Sequence, residues 1–175
     1  MARHRHDPSK DLVGFLVGDV MYAVRIEVVR EIVNPLPVVE MPRAPATVKG
    51  VADYRGEVVP IVDLRERFGL PPVEKTARKT KWIVLDVGPR RIPGMPALGA
   101  RYAALVVDAM TEVFGLAGGE LRPAPALGDG SDARGIEGVT TLGKRLVFVL
   151  DANAFGPVTQ SALASVPPAA LPGRA

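Results

Sequence analysis

The stretch VKGVADYRGEVVPIVDL, residues 48–64, decides the fold. Two valine-rich runs, VKGVADY and EVVPIVDL, flank Arg55-Gly56. β-branched side chains suit a pleated surface, and glycine supplies the positive φ that a tight turn needs at its second central residue, so the stretch reads as a β-hairpin with Arg55 at its tip. Asp63 ends the second strand three residues before Glu66, the spacing of a capping box, which predicts a short helix over LRERF. The hairpin carries Lys49, Asp53, Arg55, Glu57 and Asp63 with no His, Cys or Ser in reach. Those charges either perform chemistry or are held out for a partner.

Upstream, LVGFLVGDVMYAV from Leu12 breaks at Gly18-Asp19 and reads as another hairpin. In RIEVVREIVN, Ile26, Val29 and Val33 recur at three- to four-residue spacing opposite Glu27, Arg30, Glu31 and Asn34, which predicts a two-turn amphipathic helix. Pro35, Pro37, Pro42 and Pro45 forbid regular helix beyond it and confine LPVVEM to a short edge strand. Downstream, KWIVLDV, RYAALVVDAM, TEVFGL, GIEGVTTL and KRLVFVLDA are β-rich runs bounded by glycine, proline or charge. Two Pro/Gly-rich insertions, GPRRIPGMPALGAR and APALGDGSDARG, are expected to be mobile loops. The expected organisation is a disordered polar N-terminus over residues 1–11, a folded part over 12–155, and a disordered Pro/Ala-rich tail over 156–175.

Composition agrees with a β-dominated protein. Eighteen glycines and 17 prolines make up a fifth of the 175 residues, which favours short elements joined by turns. The net charge of +3 comes from acids and bases that alternate without a basic block, and few aromatics are present for base stacking. A small-barrel nucleic-acid binder using Arg65, Arg67, Lys79, Lys81 and Arg145 is the alternative reading; TARKTK, its densest part, is more simply a solvated loop. Without cysteine there is neither disulfide nor thiolate chemistry. No stretch has the apolar length of a signal peptide core or a membrane span, so a cytoplasmic protein without direct membrane insertion is expected. His4 and His6, the only histidines, sit in the polar tail, and no metal or cofactor is expected.

Enzyme signatures fail one by one. Asp63, Asp86, Asp108 and Asp151 each end a strand, so a carboxylate dyad is conceivable; the recurrence fits better with aspartates that satisfy the amides of the following turn or cap a helix. GVTTLGKR matches half of a phosphate loop, yet arginine stands where Ser or Thr would hold magnesium, and RLVFVLD is a strand where a helix is required. GDGSDA after Leu127 echoes a dinucleotide fingerprint without the strand or helix that would give it meaning. Trp82 reads as a core or edge aromatic.

The block VKGVADYRGEVVPIVDLRERFG resembles the signature hGhhNLRGxhhPhhDLR (h, apolar) of the CheW family, the adaptor proteins of bacterial chemotaxis. The resemblance runs from about Phe15 to Phe155, with GDVMYAVRIEVVREIV similar to the family's opening and ALVVDAMTEVFGL to its second-half strands. It implies a mainly β fold of two intertwined five-stranded SH3-like β-barrels around a shared core, with short helices. It also implies a non-enzymatic scaffold that binds the cytoplasmic tip of a chemoreceptor, membrane-bound or soluble, and the regulatory domain of a CheA-type histidine kinase, in receptor–kinase clusters. By position in the family motif, partner binding carries over to Val29 and Glu31, Lys49 and Gly50, Arg55 and Gly56, and Met110 and Val113, with Thr80 near the edge that resembles the kinase-facing surface. Departures are DYRG in place of NLRG and a long loop over residues 88–101.

Overall fold

The computed structural model describes residues 7–73, 78–88, 101–116, 121–124 and 135–157. Their strands are β1 (Leu12–Val17), β2 (Val20–Arg25), β3 (Val29–Val33), β4 (Val48–Tyr54), β5 (Glu57–Asp63), β6 (Lys81–Asp86), β7 (Tyr102–Val107), β8 (Ala109–Phe114), β9 (Ile136–Leu142) and β10 (Arg145–Leu150). The α-helix α1 (Leu64–Arg67) and short 3₁₀ turns join them. The strands form two five-stranded mixed sheets, β8-β1-β2-β10-β9 and β3-β6-β7-β5-β4. The chain begins in the first sheet, builds all of the second, and returns to complete the first. The protein is therefore mainly β, with two intertwined five-stranded units. No backbone ladder joins β8 to β9 or β3 to β4 among the described residues, so the hydrogen-bonded sheets stop short of closed barrels.

The apolar runs are continuous because their strands are buried on both faces. Successive side chains of a strand point to opposite faces. In β6, Ile83 and Leu85 enter the core shared between the sheets, while Trp82 and Val84 fill the interior of the second sheet. β7 does the same with Ala103, Leu105 and Val107 on one side and Tyr102 and Ala104 on the other. In the first sheet, Phe15, Tyr22 and Val24 face the shared core; Leu12, Met21 and Ala23 face a separate cluster with Phe114, Val147 and Val149. Phe155 and Leu64, fully buried, come from the turns after β10 and β5 and cap the shared core.

The helix expected over residues 26–34 does not form. One 3₁₀ turn, Ile26–Val28, leads into β3, which pairs Val29 with Leu85, Glu31 with Val84, Ile32 with Ile83 and Val33 with Trp82. Val28, Val29, Ile32 and Val33 are β-branched and lose side-chain freedom in a helix, and the edge of β6 offers them a ladder. The short edge strand expected in LPVVEM shrinks to a bridge between Val39 and Val51. The hairpins at Gly18-Asp19, Arg55-Gly56 and Gly143-Lys144 are all present, and the last excludes a phosphate loop because β9 runs straight into β10. His4, His6, the GDGSDA segment, the loop interiors 89–100 and 125–134, and residues 158–175 lie outside the described residues.

The two sheets repeat one pattern. Each has an outer antiparallel strand, an antiparallel hairpin neighbour, a parallel contact (β2 with β10, β7 with β5), and a final hairpin. The β9–β10 hairpin matches β4–β5 at a constant offset of 88 residues, with Gly50/Gly138, Val51/Val139, Val59/Val147 and Asp63/Asp151 identical. The match extends to irregularities: both hairpins carry a bulge, at Lys49 and at Glu137, and Val51 and Val139 each accept an isolated bridge from a loop. β3 and β8 are the corresponding edges, with Val29 opposite Leu85 and Met110 opposite Phe15.

Candidate functional site

At the β4–β5 tip both central residues are left-handed, Arg55 at φ 52° and Gly56 at φ 82°. A two-residue turn with this geometry matches the twist of the flanking strands. The Gly56 N–H donates to Asp53 Oδ1 at 2.8 Å, and this fixes the loop. Arg55, rather than the glycine or asparagine usual at the first position, bears the strain and is thereby projected across the gap between β4 and β3. Its Nε and Nη2 donate to the two oxygens of Glu31 at 3.1 and 3.0 Å. The Tyr54 hydroxyl donates to the same carboxylate, and its ring packs edge-on against Tyr102 with centroids 5.9 Å apart.

Glu31, Tyr54 and Arg55 therefore bridge the two strands that no ladder joins. The Arg55 hydrogen bonds, followed by that of Tyr54, hold the Glu31 carboxyl below its usual range. Burial, and then the neighbouring Glu31 carboxylate, push the Tyr54 phenol up. Arg55 is two-thirds exposed. The arrangement is a charged, solvent-facing seam. In the first sheet the corresponding gap is packed by apolar Phe114, Leu116, Leu121 and Leu142 instead.

At the other end of β4, the bulge turns Lys49 toward Asp63, Nζ to Oδ2 at 3.1 Å. Asp63 Oδ1 accepts the Arg65 and Glu66 amides at 2.9 and 3.4 Å and so caps α1, as its spacing from Glu66 predicted. Arg65 reaches from α1 to Asp108, with Nε and Nη2 donating at 2.9 and 2.8 Å, and Asp108 also accepts the Gly18 amide at 2.6 Å. This network ties the second sheet to the β1–β2 turn of the first. Burial pushes the Asp108 carboxyl up, but the Arg65 hydrogen bond and the Gly18 N–H outweigh it and leave it below its usual value. A cavity of about 160 Å³ opens here, lined by Lys49, Asp63, Arg65, Asp108, Thr80 and Trp82 together with apolar side chains.

Gly50, next to the bulge, lies at φ 151°, and a Cβ there would stand 2.2 Å from the Val39 carbonyl oxygen. Its role in the fold is the close approach of that loop. Val29 and Met110, on the two equivalent edges, both pack against the shared core, while Val113 on β8 is half exposed. The structure thus joins Glu31 directly to Arg55, places Lys49 and Thr80 on one cavity, and sets Met110 and Val113 on the other sheet. Val29 and Glu31 lie on a strand, not on the helix expected for them. Tyr54 and Trp82 went unassigned in the sequence; only the correct pairing of β3 with β6 exposes their position.

The four strand-end aspartates are committed to backbone amides: Asp63 to α1, Asp86 to Gly88 at 2.9 Å, Asp108 to Gly18 and Asp151 to Asn153 at 2.9 Å. Among the described residues no group of three or more His, Cys, Asp or Glu is placed to hold a metal ion, and no helix is long and apolar enough to cross a membrane. Of the cations in the nucleic-acid reading, Arg65 is tied to Asp108, Arg67 lies over the Phe155 ring at 4.8 Å, and Lys81 donates to Asn34.

The model of the CheW-like domain matches residues 11–157. The chain is 31% identical over 156 residues to a chemotaxis protein CheW of Rhizobium meliloti, covering 89% of this chain and 93% of that one. It is 29% identical over 122 residues to the protein FrzA of Myxococcus xanthus, covering 70% and 69% respectively. The crystal structure of the scaffolding protein TtCheW from Thermoanaerobacter tengcongensis superposes with a TM-score of 0.67 over 86% of this chain and 90% of that one, at 24% identity. Two interleaved five-stranded sheets, an R-G hairpin tip bound across a seam, and a match over nearly the whole folded part lead to one assignment: the chain belongs to the CheW-like family.

Proposed function

We propose that the chain is a chemotaxis-type adaptor that couples the cytoplasmic tip of a chemoreceptor to the regulatory domain of a CheA-type histidine kinase, without catalysis of its own. The observation that carries this reading is the Glu31–Tyr54–Arg55 seam: an arginine two-thirds exposed at a hairpin tip, ion-paired across to Glu31 of β3, in a chain whose relatives include chemotaxis proteins and a scaffolding protein. A rigid β scaffold with contact residues on turns and edges is the arrangement that protein recognition requires. Val29 and Glu31, Lys49 and Gly50, Arg55 and Gly56, and Met110 and Val113 are the proposed receptor-side positions, with Thr80 on the kinase side.

Two separate contact faces on one small body link unlike neighbours into extended assemblies. Coupling then needs only that a partner bind the adaptor differently in its active and inactive states, by about 1–3 kcal/mol. The test is co-sedimentation of receptor, kinase and chain. Arg55→Glu places two carboxylates face to face across the seam, so ternary assembly should fall at least about tenfold while the far-UV spectrum is unchanged. Equal assembly by Arg55→Glu and wild type would remove the site from the reading.

A further inference from the structure

The inner face of the first sheet runs on past the part that the second sheet covers. Side chains two residues apart on a strand share a face, so Val20 and Leu146 continue the rows of Tyr22 on β2 and Phe148 on β10. The parallel register, Tyr22 with Phe148 and Met21 with Val147, sets Val20 beside Leu146. Both are exposed, at 38% and 46%. Behind them lie half-buried Phe148 and, from the segment after β5, Phe68 and Leu70, all packed on the shared core. Tyr22 stacks on Phe68 with ring centroids 4.6 Å apart and meets the Phe148 ring at 5.9 Å, while Leu70 lies against Gly18 at the β1–β2 turn. The result is one continuous apolar patch.

The internal duplication shows that the fold does not demand this patch. At the constant offset between the hairpins, Leu146 corresponds to Val58, which packs against Met41 and Val51. Ala23 pairs with Val149 as Ala104 pairs with Ile61, which makes Val20 the counterpart of Arg101. Arg101 is an exposed arginine paired with Asp86. The second sheet thus has a packed valine and a charge where the first sheet leaves two apolar side chains open.

The charges at its rim indicate what covers it. β2 and β10 run parallel and each begins just after its turn, so the Gly18-Asp19 and Gly143-Lys144 tips stand side by side at this end. Asp19 on one tip and Lys144 on the other belong to no ion pair among the described residues. Arg65, whose field reaches Asp19, is already paired with Asp108, and Arg145 belongs to the opposite row of β10 with Val147 and Val149. We propose that this end of the first sheet is the interface of a two-fold dimer. A second copy of the chain lays its Val20 and Leu146 on the same residues here, and sets its Lys144 against Asp19 and its Asp19 against Lys144. A two-fold contact requires a self-complementary patch, and an apolar centre between one acid and one base is such a patch. A partner of a single charge would satisfy one tip and oppose the other. The contact is small, so the dimer is reversible and forms at high concentration.

The proposal concerns the chain by itself and does not depend on the adaptor reading. Its test is sedimentation equilibrium of the full chain from about 5 µM to about 1 mM, the span in which small interfaces assemble. The mass should rise from one chain to two and no further. Leu146→Glu should weaken the dimer about tenfold or more, because the change enters the interface twice. Thermal unfolding checks that the sheet survives it, and Val20→Thr, nearly unchanged in volume, provides a milder variant that should weaken the dimer in the same direction. Asp19→Lys and Lys144→Asp each place like charges at both contacts, so either variant alone should remain monomeric. Mixed together they restore opposite charges at both contacts and should associate. A single-chain mass over the whole range, a mass that grows past two chains, or a dimer that Leu146→Glu and Val20→Thr leave unchanged overturns the proposal. So does a mixture of the two charge variants that fails to associate where wild type dimerises.

Discussion

At the scale of the residue, the contrast between two ion-paired sites sets different expectations. Glu31–Arg55 faces solvent, where exposed pairs add little to stability, so its loss should be felt in binding. Arg65–Asp108 is three-quarters buried or more and ties two sheets together. Arg65→Met should lower stability by about 2 kcal/mol in denaturant titration, the range for a hydrogen bond to a charged group. Its pH dependence has a definite sign. The folded-state pKa of Asp108 lies below the ordinary 3.8, so the pair's contribution is complete above that value and vanishes as pH falls through the lowered one. Asp108→Asn should accordingly show a flatter loss of stability in acid than wild type. Arg55 was legible in the sequence because the R-G dipeptide dictates its own turn. Its pairing was not: Glu31, singled out only by its place in the family motif, lies 24 residues away on a segment whose spacing imitated a helix.

The element scale explains that misreading. A ten-residue stretch of branched apolar and charged side chains satisfies a helical period as readily as a turn followed by a strand, and the free edge of β6 decides between them. Hairpins were read correctly because glycine marks them locally, and Asp63, Asp86 and Asp151 because they bond to amides within a few residues; Asp108 departs from that reading, since the amide it accepts is that of Gly18, 90 residues away. The bulges and bridges were not legible, since they depend on loops arriving from elsewhere. Glycine substitutions grade this dependence. Gly50→Ala should be the most damaging, at least about 3 kcal/mol, because a Cβ would stand 2.2 Å from the Val39 carbonyl at φ 151°. Gly138→Ala, whose Cβ would meet the Arg122 carbonyl at 2.8 Å, should cost less. Gly56→Ala, with open space but φ 82°, should cost about 1 kcal/mol. Chemical denaturation of the three proteins checks the order.

For the whole molecule, interleaving makes the two sheets one cooperative unit. The second sheet is built from a continuous middle segment, yet its outward-facing Ile83, Leu85, Leu105 and Val107 are buried only because the first sheet covers them. Trp82 reports the second sheet and Tyr22 the first, so their unfolding curves should coincide, and separate midpoints would refute cooperativity. The β-rich runs were legible as strands, but their burial on both faces was not, since it depends on the second sheet covering the first; nor was the internal repeat, because four identities spread over a hairpin carry little signal until the bulges and bridges align them. On the adaptor reading proposed above, such a body works through its fixed faces, and its effect appears in a partner's chemistry. The most direct measurement is the autophosphorylation rate of the CheA-type kinase with receptor-bearing vesicles, with and without this chain. The account predicts a rise of about tenfold or more that requires receptor, kinase and chain together and is lost with Arg55→Glu; a rate indifferent to the chain, or equal for wild type and Arg55→Glu, would contradict it.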